Sequence, residues 1–201
     1  MASIVVFCGS SSGFDAKYRA AAEALGAEIA RHGHQLVYGG GHVGLMGAVA
    51  DAALAAGGGV TGVITEQLHA LEVGHTGLTS LEIELDMHAR KARMAALSDG
   101  VIVLPGGFGT CDETFEILTW NQLGLVAIPV VFFDVDGFYQ PLFDFIGGAV
   151  SAGFMRRDHE ALALRADTAA EAVSMATQPP AAFIAKWVDG APNAQAGSGE
   201  E

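Results

Sequence analysis

The chain has 201 residues and a formal charge of −13, from 10 Lys and Arg against 23 Asp and Glu. Apolar residues make up 51% and charged ones 16%, which excludes intrinsic disorder for most of the chain, and a chain of this length buries a sizeable core without disulfide or metal staples. The acidic balance excludes a broad electrostatic grip on nucleic acid and a polybasic hold on a membrane surface, and Cys8 and Cys111 alone make neither a disulfide framework nor a Cys-based zinc site. There is no apolar run of about 18 residues, and the opening MASIVVFCGSSSG lacks a basic region before its short apolar stretch. A reduced, cytoplasmic setting is the expectation.

Short apolar runs alternate with longer helical patterns. Ile4 to Cys8 reads as a buried strand, and Asp15 to His32 as a helix with Gly33 just past its end. Gln35 to Tyr38 is a second strand, followed by the turn GGGHVGLMG and an Ala-rich helix to Ala56. Val60 to Ile64 and the short Leu81 to Leu85 read as strands, Asp86 to Ser98 as a helix, and Val101 to Leu104 as a strand. Thr110 to Leu123 is helical, Pro129 to Phe133 a strand, and Gly137 to Ala152 helical. Ala161 to Arg165 reads as a last strand and Thr168 to Thr177 as a last helix. This alternation predicts an α/β fold: a Rossmann-like parallel sheet with helices on both faces. The Val- and Ile-rich strands fit burial on both sides. One domain is expected over residues 1–189. The small, polar and acidic stretch 190–201 is expected to be a disordered tail.

The ten cations are Lys17, Arg19, Arg31, Arg90, Lys91, Arg93, Arg156, Arg157, Arg165 and Lys186. Three of them crowd into residues 90–93 of an acidic chain. On a helix from Asp86, Met87, Arg90, Lys91 and Met94 share one face. That face either meets anionic partners or lies in water opposite surface acids.

Two glycine loops follow strands and open helices. The first contains GxGxxG at Gly39, Gly41 and Gly44, with Glu66 where a dinucleotide site places its ribose-binding acid. Close helix–strand packing needs the same glycines. The second, Leu104-Pro105-Gly106-Gly107-Phe108-Gly109-Thr110, leaves backbone amides accessible at a helix start. Here Thr110-Cys111-Asp112-Glu113 fits a capping box, in which Glu113 folds back on its own helix and does no chemistry. A carboxylate at that position equally suits catalysis. A third strand end, Cys8-Gly9-Ser10-Ser11-Ser12-Gly13, offers hydroxyls. In an open parallel sheet such loops gather at the carboxyl edge, where ligands bind.

Met87-His88-Ala89-Arg90-Lys91 and Pro105-Gly106-Gly107-Phe108-Gly109-Thr110-Cys111-Asp112-Glu113 together resemble the MHxRK and PGGxGTxxE hallmarks of the LOG ("Lonely guy") family, formerly catalogued as lysine decarboxylases. The likeness runs on through CGSSSG, YGGGHVGLMG, EVGHTGLT and DVDGFYQPL. It implies a Rossmann-like homodimer with sites near the subunit interface. It also implies hydrolysis of the N-glycosidic bond of a nucleoside 5′-monophosphate, either a cytokinin riboside 5′-monophosphate or AMP. By the same resemblance Arg90 and Glu113 are the catalytic pair. Glu72, Arg90, Lys91, Gly107, Phe108, Gly109, Thr110, Cys111, Asp112, Glu113 and Thr119 contact the nucleotide. Ser10, Gly41 and Gly106 join them as candidate phosphate-side contacts. Cys111-Asp112 replaces the commoner Leu-Glu. No cofactor or metal is expected, since amides and cations meet the phosphate charge, and His42, His69, His75 and His88 lack metal-ligand spacing. The expected partner is a small nucleotide, with neither nucleic acid nor membrane involved.

Three other readings compete. A nucleotide sensor or carrier would bind without turnover. An NAD-dependent oxidoreductase would rest on GxGxxG and Glu66, although that turn follows the second strand and not the first. A pyridoxal-phosphate decarboxylase would need a Schiff-base lysine, for which Lys91 is the candidate near the loops.

Overall fold

Strand β1 (Ser3–Phe7) lies between two parallel neighbours, β2 (Gln35–Tyr38) and β5 (Gly100–Val103), with Val5 in register with both Val37 and Val101. Outward from β2 come β3 (Val60–Thr65) and β4 (Ser80–Glu84); outward from β5 come β6 (Val130–Phe133) and β7 (Ala163–Ala166). The result is a seven-stranded sheet of order β4-β3-β2-β1-β5-β6-β7 in which every pairing is parallel. This computed structural model describes residues 1–71 and 74–180.

Alternation along β1 sends its side chains into two cores. Ile4, Val6 and Cys8 pack with buried residues of α1 (Ala16–Arg31), α2 (Gly44–Ala55) and α8 (Ala169–Ala176). Val5 and Phe7 pack on the other face with Met94 of α4 (Met87–Ala96), Ile117 of α5 (Phe108–Leu123) and Tyr139. With both faces covered, the central strands β1, β5 and β6 need no polar alternation, which is why they read as continuous apolar runs, whereas edge strand β4 (SLEIE) alternates. Among the described residues, helices α1, α4 and α8 start on side-chain caps. Asp15 accepts from the Lys17 amide at 3.0 Å, Asp86 from the Ala89 amide at 2.8 Å, and Thr168 from the Glu171 amide at 3.2 Å.

The predicted fold class holds, and the differences are local. Glu66–Leu71 forms a short helix, α3, that the sequence reading passed over; it buries none of its residues and so leaves no periodic apolar signal. A four-residue helix, α7 (Arg157–Glu160), was likewise not foreseen. The helix expected from Gly137 starts later, as α6 (Gln140–Ser151). A 3-10 turn over Val135–Gly137 intervenes, with Asp136 at φ 56 and Gly137 at φ 73. The helix expected from Thr110 starts earlier, at Phe108. The expected boundary between 1–189 and 190–201 lies outside the described residues, as does Lys186. No helix among the described residues is long and apolar enough to cross a membrane.

The strand order runs outward in both directions from β1. The chain therefore reverses its direction of growth between β1 and β5, and a crevice opens beyond their carboxyl ends. The loops after β1 and β5 border that crevice, with the first glycine loop, after β2, beside them.

Candidate active site

The three loops are tied to one another through their backbones. The Gly9 amide donates to the Pro105 carbonyl at 3.0 Å, and the Leu45 amide donates to the Gly9 carbonyl at 3.1 Å. At Gly44, φ is 62°, and any Cβ would run into the backbone of Ser10 and Ser11. Glycine is therefore required for the two loops to touch. Ser10 is left exposed at this junction.

Helix α5 begins on Gly107, which has no side-chain cap. Gly106 and Gly107 make the turn out of β5. A Cβ at Gly106 would collide with the Thr110 side chain, which is buried and folded back against this turn. Thr110 is thus inside the helix and does not cap it, and its carbonyl accepts from the Thr114 hydroxyl at 2.6 Å. The capping-box reading of Glu113 is overturned. Gly107, Phe108 and Gly109 are exposed, and the first-turn amides, which have no partner within the helix, open toward the crevice.

Freed from capping, Glu113 meets Arg90. Arg90 Nη1 donates to Glu113 Oε1 at 3.0 Å across 23 positions of sequence. Arg90 is only 7% exposed. Its Nε donates to the Val63 carbonyl at 2.9 Å, and Nη1 also lies 3.3 Å from the Met87 sulfur. The first glycine loop closes the remaining side, where a Cβ at Gly39 would stand 2.5 Å from Arg90 Nη2. Burial pushes the Glu113 carboxyl above the ordinary carboxylate range. The Arg90 guanidinium opposes this, the Asp112 charge adds to it, and Lys91 opposes it more weakly. Gly39→Ala is expected to displace the guanidinium from Glu113 and to destabilise the fold by about 1–3 kcal/mol, the usual cost of overpacking a filled site. Thermal and urea unfolding of the variant against wild type check it.

The other two cations of α4 point elsewhere. Lys91 Nζ lies 3.1 Å from Asp112 Oδ2 and 3.2 Å from Glu116 Oε2, which fastens α4 to α5. Burial pulls the Lys91 pKa down, but the two carboxylates more than offset this and leave it raised. A lysine held as an ammonium is unsuited to Schiff-base formation, which removes the footing of the pyridoxal-phosphate reading. Arg93 grips Glu82 on β4 with two nitrogens, at 2.6 and 3.0 Å. The cation cluster therefore meets anionic partners on neighbouring elements and is not a solvated face.

Among the candidate residues, the structure brings together Ser10, Arg90, Lys91 and the run from Gly106 to Glu113. Cys111 is half-buried and Asp112 exposed beside Lys91. Gly41 is buried and bridged to Gly74. Thr119 lies further along the exposed side of α5, where its hydroxyl donates to the Phe115 carbonyl at 2.7 Å, and it shares a shallow groove with Phe108, Cys111, Asp112, Phe115, Glu116 and Trp120. Glu72 lies outside the described residues. The glycines of GxGxxG face protein atoms: Gly39 faces Arg90, Gly41 faces Gly74 and Gly44 faces Ser10. The dinucleotide reading loses its support there, and Glu66 is exposed at the head of α3. Sequence reasoning missed Gly39 as a wall for Arg90 and the Val63 carbonyl as its anchor. The glycine was visible, but its role depends on a helix 50 residues away. Cys8, buried behind the site, is pushed far above a normal thiol pKa by burial and by the Glu113 charge, so it is no nucleophile. Among the described residues no cluster of three or more His, Cys, Asp or Glu side chains could hold a metal ion. A more enclosed apolar cavity, lined by Val126, Ile128, Leu162, Leu164 and Met175, lies at the opposite, amino edge of the sheet.

The fold recurs in the molybdenum cofactor carrier protein of Chlamydomonas reinhardtii, at a TM-score of 0.65 and 22% identity over 86% of this chain and 94% of that one. A molybdenum cofactor binding protein from Rippkaea orientalis shares it, at a TM-score of 0.65 and 21% identity over 87% of this chain and 94% of that one. At these identities the likeness speaks for fold alone. In sequence, residues 46–175 match the family described as possible lysine decarboxylase. The cytokinin riboside 5′-monophosphate phosphoribohydrolase of Rhodococcoides fascians is 50% identical over 154 residues, 76% of this chain and 78% of that protein. The enzyme of the same name, LOG, from Oryza sativa subsp. japonica is 45% identical over 170 residues, 85% of this chain and 70% of that protein. Through these matches, and through the two hallmark segments that meet in its crevice, the chain belongs to the LOG family of cytokinin riboside 5′-monophosphate phosphoribohydrolases, the family whose older description is possible lysine decarboxylase.

Proposed function

We propose that the protein hydrolyses the N-glycosidic bond of a nucleoside 5′-monophosphate, a cytokinin riboside 5′-monophosphate or AMP, to free base and ribose 5-phosphate. The observation that carries this is the Arg90–Glu113 pair, 3.0 Å apart and largely shielded from solvent, with side-chain exposures of 9% and 13%, beside the amide-bearing start of α5. The 5′-phosphate sits on the amides of Gly106 to Thr110, at the positive end of the α5 dipole. Ser10 lies alongside, and Gly41 supports the first glycine loop through its bridge to Gly74. As the bond from C1′ to the base nitrogen breaks, its electron pair leaves with the base and positive charge builds on the ribose ring. The Glu113 carboxylate faces that charge. It takes a proton from the water whose oxygen bonds to C1′, and the departing base is protonated in turn. Arg90 keeps Glu113 ionised against burial and contacts phosphate or ribose. Lys91 holds Asp112 and Glu116 in place. Glu72 and Thr119 complete the substrate contacts on the family resemblance, with Glu72 on the ribose hydroxyls.

The test is release of free base from AMP and from N6-isopentenyl-AMP by the purified protein. Tight binding of either nucleotide with no base released over hours would make the protein a sensor or carrier instead.

We further propose that two copies pair around the crevice. Phe14, Leu85 and Phe108 are 112%, 79% and 97% exposed near its mouth, an arrangement that a second subunit would cover. Sedimentation equilibrium is expected to give twice the 20.7 kDa chain mass; a single-chain mass would reject the pairing. A cytoplasmic setting fits two cysteines that both stand as free thiols.

A further inference from the structure

Tyr139 lies on the turn into α6, outside the residues assigned to the site, yet it reaches the phosphate loop. It is 4% exposed, and its hydroxyl donates to the Leu104 carbonyl at 2.7 Å. β5 ends at Val103, so this carbonyl lies past the end of the strand and directly before Pro105-Gly106-Gly107. The next carbonyl, that of Pro105, accepts from Gly9 at 3.0 Å. The loop is thus pinned at two successive carbonyls, by Tyr139 and by the β1 loop.

Tyr139 is itself braced. Its amide donates to Asp134 Oδ1 at 2.7 Å. Asp134 Oδ2 is paired with Arg165 Nη2 at 2.6 Å, an ion pair that lies outside hydrogen-bond alignment. The ring meets Phe132 and Phe138 edge-on, each at 4.9 Å between centroids. Burial, with smaller contributions from Cys111, Cys8 and Asp134, pushes the phenol pKa well above its usual value, so the hydroxyl stays a donor.

We propose that Tyr139, braced by Asp134 and Arg165, is a positioning residue for phosphate recognition: through the Leu104 carbonyl it holds Pro105–Gly107 so that the first-turn amides of α5 face the substrate phosphate. This rests on the phosphate placement proposed above.

Tyr139→Phe keeps the ring and removes the hydroxyl. The KM for AMP and the inhibition constant of ribose 5-phosphate are expected to rise about tenfold, as small displacements of a binding group do. The inhibition constant of adenine, which carries no phosphate, stays within about twofold, and kcat changes less than KM. A purely structural tyrosine would lower the melting temperature and leave these constants alone, or would shift ribose 5-phosphate and adenine equally; either result overturns the proposal. If Tyr139→Phe does not accumulate, Arg165→Lys, which keeps a cation beside the buried Asp134 but removes the guanidinium, makes the same comparison by the same criteria. If the wild-type protein binds ribose 5-phosphate by calorimetry but releases no base, the hydrolase reading fails. The contrast between ribose 5-phosphate and adenine still decides the role of Tyr139.

Discussion

Glu113→Gln is expected to cut base release from nucleoside 5′-monophosphates by at least about 10²–10³-fold, the usual loss when a group that stabilises transition-state charge is removed. The variant should fold. A glutamine oxygen can still accept from Arg90 Nη1, where the carboxylate now does so at 3.0 Å. The charge that burial disfavours is gone. Because burial raises the folded-state pKa of Glu113, the folded protein holds a proton there more tightly than the unfolded chain does. The stability this contributes is fully present below the unfolded-state pKa and is lost as pH rises through the folded-state one. Relative to Glu113→Gln, the wild-type melting temperature should therefore fall across that window, which lies above the ordinary carboxylate range. On the proposed mechanism activity follows the same group in the opposite sense, since the ionised form takes the proton from water. The acid limb of wild-type kcat/KM is expected in this raised window. A limb at ordinary carboxylate values, or full turnover in Glu113→Gln, would refute the role given to Glu113.

Arg90→Met is expected to be the most damaging substitution for the fold itself. It strips a largely buried carboxylate, 13% exposed, of its cation, which costs up to about 3–5 kcal/mol where a pair is fully buried. It also leaves the Val63 carbonyl, now bonded to Arg90 Nε at 2.9 Å, without its donor. Adding Glu113→Gln to Arg90→Met should recover part of the loss, because the uncompensated charge goes with it. Urea unfolding across pH separates the contributions. In Arg90→Met the Glu113 pKa rises further, so the destabilisation is fully present above that pKa and is relieved as pH falls and the carboxyl is protonated. A single variant as stable as wild type at neutral pH would mean that the pair is not coupled as its burial implies. Catalysis in Arg90→Met should fall with Glu113 protonation as well as with loss of the cation.

The two halves of this pair were legible in the sequence, one as a cation in a crowded segment of an acidic chain and the other as an acid after a PGG turn. The central strands were legible too, because two-sided burial writes them as unbroken apolar runs rich in Val and Ile. The direction of each side chain was not. Arg90, Lys91 and Arg93 share a segment but turn to Glu113, to Asp112 with Glu116, and to Glu82, a divergence set by how α4 is rotated over the sheet. The spacing Thr110-x-x-Glu113 suggested a cap because spacing cannot show where a helix starts. The Gly106–Gly107 turn starts it at Phe108 and carries Glu113 around toward α4. Tyr139 was out of reach for a similar reason. Its contact spans 35 positions and depends on a turn that places a non-glycine residue, Asp136, at φ 56.

The anchoring of Arg90 by the Val63 carbonyl bears on how a nucleotide is received. A guanidinium on a free stem must surrender rotamer freedom when an anion arrives, at a cost of about 0.5–1.5 kcal/mol for such a side chain. Here folding has already frozen the stem, and on the proposed mechanism an incoming nucleotide finds the positive charge waiting in its final pose. Ligand association should then leave the backbone of α4 almost unchanged in amide exchange, with the protective effect concentrated on the loops at the crevice rim.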